Sequence, residues 1–174
     1  MPSPVLRKPI MAIESPLDYS ELTKVKLQHV DEKGVNRRTE VPISTGSSFE
    51  SVLYTIREFN VAITTLSLTT GQDLFHAFRL CLDGTAKEEW DIVIKDQEQT
   101  LENYEESIKQ FKLAFTTSDT KADLIQYLRL VTKPKDMSVH AFVRRVQSIN
   151  RYIDDIPEHK AGDKELSNLN ATDN

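Results

Sequence analysis

Polar and apolar residues alternate over residues 24–30 and again over 38–43, with Asp31-Glu-Lys-Gly34 between the two runs. A period of two is that of a half-buried strand, so the pattern predicts a β-hairpin over 24–43. Pro42 lacks an N–H donor, which confines its strand to a sheet edge. A lone hairpin is marginal in water and must lean on the helices after it. Past Ser44-Thr-Gly-Ser-Ser48 the period becomes helical. Ser48 is a good N-cap, and Phe49, Val52, Leu53, Ile56 and Phe59 fall at helix spacing. Residues 60–68 are apolar and β-branched, and suit either a continuation of that helix or an irregular connector.

Leu74, Phe75, Phe78 and Leu82 define the apolar face of a further helix, interrupted at Asp83-Gly84. Thr85-x-x-Glu88 has the form of a capping box and predicts a helix start at Thr85, with Trp90, Val93 and Ile94 on that helix. Tyr104, Ile108, Phe111 and Phe115 stripe the next helix. Thr116-Thr-Ser-Asp119 is a polar break and the predicted boundary between two parts of the chain. Asp119 is expected to cap a helix with Leu124, Tyr127, Leu128 and Val131 inward, which Lys133-Pro134 stops. Ser138 caps the clearest amphipathic helix. Val139, Phe142, Val143, Val146, Ile149, Tyr152 and Ile153 form its apolar stripe, and Arg144, Arg145 and Arg151 lie largely opposite. Residues 1–16 hold four prolines and no period, and 158–174 are polar, so both read as tails.

Composition narrows the function. The chain has 174 residues, 39% hydrophobic and 28% charged, the balance of an ordinary globular protein. No apolar run approaches the roughly 20 residues of a membrane span, which excludes a membrane partner by that route. The single cysteine, Cys81, excludes an internal disulfide framework and fits a reducing compartment, so a cytoplasmic location is expected. A net charge of −5 argues against nucleic-acid binding by the chain as a whole. That charge is uneven. Residues 82–119 carry four Lys against ten Asp or Glu, and residues 120–151 carry seven Lys or Arg against two Asp. Neighbouring segments of opposite sign attract one another, within a chain or between copies.

Candidate chemistry is sparse. Tyr152-Ile-Asp154-Asp155 has the letters of a two-metal polymerase motif, but that chemistry needs a β-turn and a distant third carboxylate. Here the four residues close an amphipathic helix. Histidines 29, 76, 140 and 159 share no ligand spacing with one another, with Cys81 or with a carboxylate. No phosphate-binding loop or nucleophile elbow occurs. The sequence therefore points to a non-enzymatic chain without cofactor or metal. Lys133, Lys135, Arg144 and Arg151 make a small basic patch, better suited to a protein neighbour than to stacked bases.

Leu82-x-Gly84-x-Ala86-x-x-x-Trp90, the aromatic helix after it and Ser138-Val-His-Ala-Phe142-Val-Arg-Arg145 occur in an order that resembles the capsid region of Gag polyproteins from long-terminal-repeat retrotransposons. The last segment is similar to the major homology region of such capsids, with Arg145 at the family's arginine. Lys133 stands where glutamine is usual, Met137 where glutamate is usual, and Asp136 one place early. The hairpin and first helix, residues 24–59, also resemble the start of some such Gag proteins, so the resemblance covers about three-quarters of the chain. It implies a mainly α, two-lobed capsid-like bundle with a small N-terminal hairpin: residues 17–116 as the first lobe and 119–157 as the start of an incomplete second. It implies a structural protein whose partner is itself, with Leu82, Gly84, Ala86, Trp90, Phe142 and Arg145 as fold-motif or assembly residues. No Cys-His knuckle is present, which removes the usual nucleocapsid route to RNA and leaves a segment outside this sequence as another. Three other readings stand beside it: a domesticated lobe that binds partner peptides without assembling, an enzyme resting on Tyr152–Asp155, and an RNA-binding surface at Arg144 and Arg145.

Overall fold

A computed structural model of the chain describes residues 22–158. The tails expected at 1–16 and 158–174 lie outside the described residues, Glu158 apart. Two strands, β1 (Lys24–Val30) and β2 (Asn36–Pro42), pair antiparallel with Lys24 opposite Pro42 and Val30 opposite Asn36. Asp31 closes the hairpin by accepting from the amides of Lys33 and Val35 and from Arg37 Nε, each at 2.9 Å. Leu27 and Val41 face inward and are buried. Six helices complete the described chain: α1 (Phe49–Leu66), α2 (Gly71–Leu80), α3 (Gly84–Val93), α4 (Leu101–Ala114), α5 (Thr120–Leu130) and α6 (Val139–Asp155). The fold is thus mainly helical with one small antiparallel hairpin. The hairpin rests on α1, where Thr55 Oγ1 donates to the Pro42 carbonyl at 3.0 Å.

Ser48 caps α1 as expected, accepting from the Ser51 amide at 3.2 Å. The apolar run after residue 60 continues the helix to Leu66, because Ala62 and Leu66 extend the buried line of Phe59. The start of α3 differs from expectation. Asp83, not Thr85, is the N-cap and accepts from the Gly84 amide at 2.9 Å. Asp119 likewise makes no side-chain cap bond. The Thr120 hydroxyl accepts from the Thr117 amide at 2.7 Å instead, so a threonine inside the helix organises the turn before it.

Side chains cluster in two places. The larger cluster joins the hairpin, α1, α2, α3 and α4 around Phe59, Phe75, Phe78, Trp90, Tyr104 and Phe111. Its rings meet mostly edge to face, such as Phe78 and Trp90 at 4.8 Å between centroids, the geometry that ring quadrupoles favour. The smaller cluster joins Leu124 and Tyr127 of α5 and Ile149 and Tyr152 of α6 to Phe49 and Leu53 of α1. Phe115, just after α4, packs against both. The first turns of α1 therefore serve as the bed on which α5 and α6 lie.

Candidate interaction surface

The Leu82–Trp90 motif is a stitch rather than a surface. Leu82, Ala86 and Trp90 are all buried. Residues 44–46 run beside them and exchange backbone hydrogen bonds: Ser44 N–H to the Cys81 carbonyl, Asp83 N–H to the Ser44 carbonyl, and Ala86 N–H to the Thr45 carbonyl. Gly84 takes φ +52°, which favours glycine over any L side chain. Gly46 comes so close to Ala86 that a Cβ on it would stand 2.9 Å from the Ala86 nitrogen. The leucine, glycine and alanine spacing is what this two-segment backbone contact requires.

Arg145 is also interior. Its guanidinium lies 3.4 Å from each Glu50 carboxylate oxygen, donates to Tyr127 Oη at 2.5 Å and sits 5.3 Å from the Tyr127 ring centroid. This corrects its placement opposite the apolar stripe. The buried line of α6 is Arg145, Ile149, Tyr152 and Ile156, at steps of four, three and four. Phe142, Val146 and Ile153 flank it half-buried. Val139 and Val143, expected inside, are 66% and 45% exposed. An arginine heading an i, i+4, i+7 apolar line was the available signal. Glu50, between Phe49 and Leu53 on the inner side of α1, was the second, and nothing local in the sequence links the two.

The basic patch is on the outside. Lys135, Arg144 and Arg151 are exposed. Lys133 is exposed too, but its Nζ donates to the carbonyls of Pro134 and Met137 at 3.1 and 2.9 Å, bracing the turn into α6. Lysine thus supplies two donors to backbone carbonyls at the turn before α6. Arg151 borders a groove of about 680 Å³ with Arg57, Lys112 and Asp155. Asp155 pairs with Arg57 at 2.5 Å, and its carbonyl accepts from Lys112 Nζ at 3.4 Å. Burial holds the Lys112 ammonium below its ordinary range, against the pull of Asp155. Tyr152 is interior and Asp154 exposed, so the Tyr152–Asp155 tetrapeptide points in several directions. Among the described residues no three His, Cys, Asp or Glu side chains gather as a metal site would need. Burial raises the Cys81 thiol to about 12, which leaves it a core thiol rather than a nucleophile.

The acidic and basic segments do not neutralise one another. Among the described residues, the acid Asp91 pairs with Arg79 of α2, and the base Arg145 pairs with Glu50 of α1. Within that same set, no ion pair joins an acid of 82–119 to a base of 120–151. Exposed Glu88, Glu98, Glu102, Glu105 and Glu106 remain on one side of the break at 116–119, and exposed Lys121, Arg129, Lys135 and Arg144 on the other. Leu130, at the end of α5, adds a 68% exposed side chain to the basic part. No described helix is long and apolar enough to cross a membrane. No protein-family model, curated protein or solved structure matches this chain.

Proposed function

We propose that this chain is a structural protein of the Gag capsid kind, which self-associates through the helices on either side of residues 116–119. The observation that carries the reading is the charge split, whose two segments form no ion pair with each other among the described residues, next to apolar side chains exposed on α5 and α6. Fixed surfaces of opposite sign raise encounter rates and select register, while exposed apolar residues supply the area that stabilises the contact. The order of the Leu82–Trp90 and Ser138–Arg145 segments supports the capsid resemblance. In that reading the larger cluster is the first lobe, and α5 and α6 begin the second. Negative-stain microscopy of concentrated protein at low salt tests it. Rings, shells or regular patches are expected, and a field of isolated single-chain particles contradicts it.

A second reading, a non-assembling module that holds a partner peptide, is favoured by one feature: an apolar groove of about 530 Å³ lined by residues of α1, α2 and α4.

A further inference from the structure

The groove between α1, α2 and α4 is lined mainly by apolar side chains. Leu68, Leu74 and Tyr104 are its buried side chains, Ile63 and Ile108 half-buried ones, and Leu101 is 50% exposed at its edge. Glu105 also lines it. Glu102, one turn before Glu105 and Glu106 on α4, is exposed beside Leu101. A concave apolar strip with carboxylates along its helix selects an apolar segment that carries positive charge.

The start of α6 has that chemistry. Val139 and Val143 lie four residues apart, so they share one helix face, and both are exposed. Lys135 precedes them and Arg144 adjoins Val143. Their exposure shows that they do not fill the groove of their own chain. Among the described residues, the acids of α4 and the bases around α6 likewise form no ion pair with each other.

We infer that Val139 and Val143 of one copy seat in the α1–α2–α4 groove of a second copy, with Lys135 and Arg144 facing Glu102 and Glu105. This rests on the self-association proposed above and names its interface. The two surfaces differ, so the contact is head-to-tail. Each copy carries one knob and one groove, and the contact repeats until a ring closes or a filament extends.

Leu101→Asp and Val143→Asp test it, since both side chains are exposed and their loss leaves the fold intact, as thermal melts would verify. Each variant is expected to lose roughly tenfold or more in self-association, because a carboxylate is desolvated at the contact. Leu101→Asp keeps an intact knob and Val143→Asp an intact groove. Mixed one to one, they should form a pair that grows no further, read as a sedimentation boundary at twice the chain mass. Three results overturn the inference. If wild type associates and Leu101→Asp associates equally well, the groove is not the acceptor and self-association stands without it. If both variants are monomeric and their mixture stays monomeric, the contact is not head-to-tail. If wild type is monomeric under all conditions, the inference falls together with the reading on which it rests, and the groove is left to another ligand.

Discussion

Arg145 of α6 and Glu50 of α1, ninety-five positions apart, face each other with both side chains only 3% exposed. The pair ties the end of the described chain to the first long helix. Tyr127 of α5 completes it by accepting a hydrogen bond from the same guanidinium. Removing one partner of a buried ion pair strands the other charge, at a cost of about 3–5 kcal/mol. Arg145→Met and Glu50→Met should each destabilise the protein on that scale in urea melts. Joining Arg145→Met to Glu50→Met should recover much of the loss. Equal additive losses would show that the two side chains act independently.

Tyr104 makes the opposite case. Its hydroxyl is buried and has no hydrogen-bond partner among the described residues, while its ring packs edge-on to Phe75 at 5.7 Å. Burial, and secondarily Cys81, push its phenol well above the ordinary range. Tyr104→Phe keeps the ring and deletes the unmet hydroxyl. Stability should be unchanged or higher by about 1–3 kcal/mol, and a clear loss in a urea melt would reveal a partner for that oxygen.

Gly71 opens α2 against the start of α4. A Cβ there would stand 2.4 Å from the Thr100 carbonyl carbon and 2.5 Å from the Gln99 oxygen, both backbone atoms. Gly71→Ala, which would gain about 1 kcal/mol by helix propensity alone, should therefore lower the melting temperature. A rise would mean that the two helix starts stand further apart.

Cys81 supplies a pH dependence. Its thiol is raised to about 12 by burial, whereas an unfolded thiol titrates near 8.5. Between those values the unfolded chain gives up a proton that the native chain keeps. The unfolded state then binds fewer protons, so stability falls as pH rises through that window. Cys81→Ala should flatten this part of the alkaline slope relative to wild type. In native conditions at neutral pH the wild-type thiol should react with iodoacetamide only as fast as the protein unfolds.

The parts of the fold legible in sequence are those set by local period and local chemistry. The alternation at 24–30, the Ser48 cap and the Phe49–Phe59 spacing each specify their element without reference to anything distant. What stayed hidden depended on distant partners. The stripe of α6 shows that one side is apolar, but only α1 decides that Arg145 lies on the buried line and Val139 and Val143 do not. The α3 cap moved from Thr85 to Asp83 because residues 44–46 hold the backbone of 81–86 in place. The groove beside α4 could not be read at all, since Leu68, Leu74 and Leu101 come from three separate segments.

The basic residues on the outer surface should separate stability from association. Lys135→Glu with Arg144→Glu alters two exposed side chains. Surface changes of this kind stay within about 0.5 kcal/mol. Thermal melts should hardly move, while self-association at low salt should be lost. A large drop in melting temperature would instead assign these residues to the fold.

Light scattering on the wild-type chain, across concentration and salt, tests the central claim most directly. Contacts guided by exposed charge weaken as the Debye length contracts from about 30 Å at 0.01 M to 3 Å at 1 M salt. At low salt the mean mass should exceed the 19.9 kDa of one chain, rise with concentration and fall back as salt is added. A mass of 19.9 kDa at every concentration and ionic strength would contradict self-association.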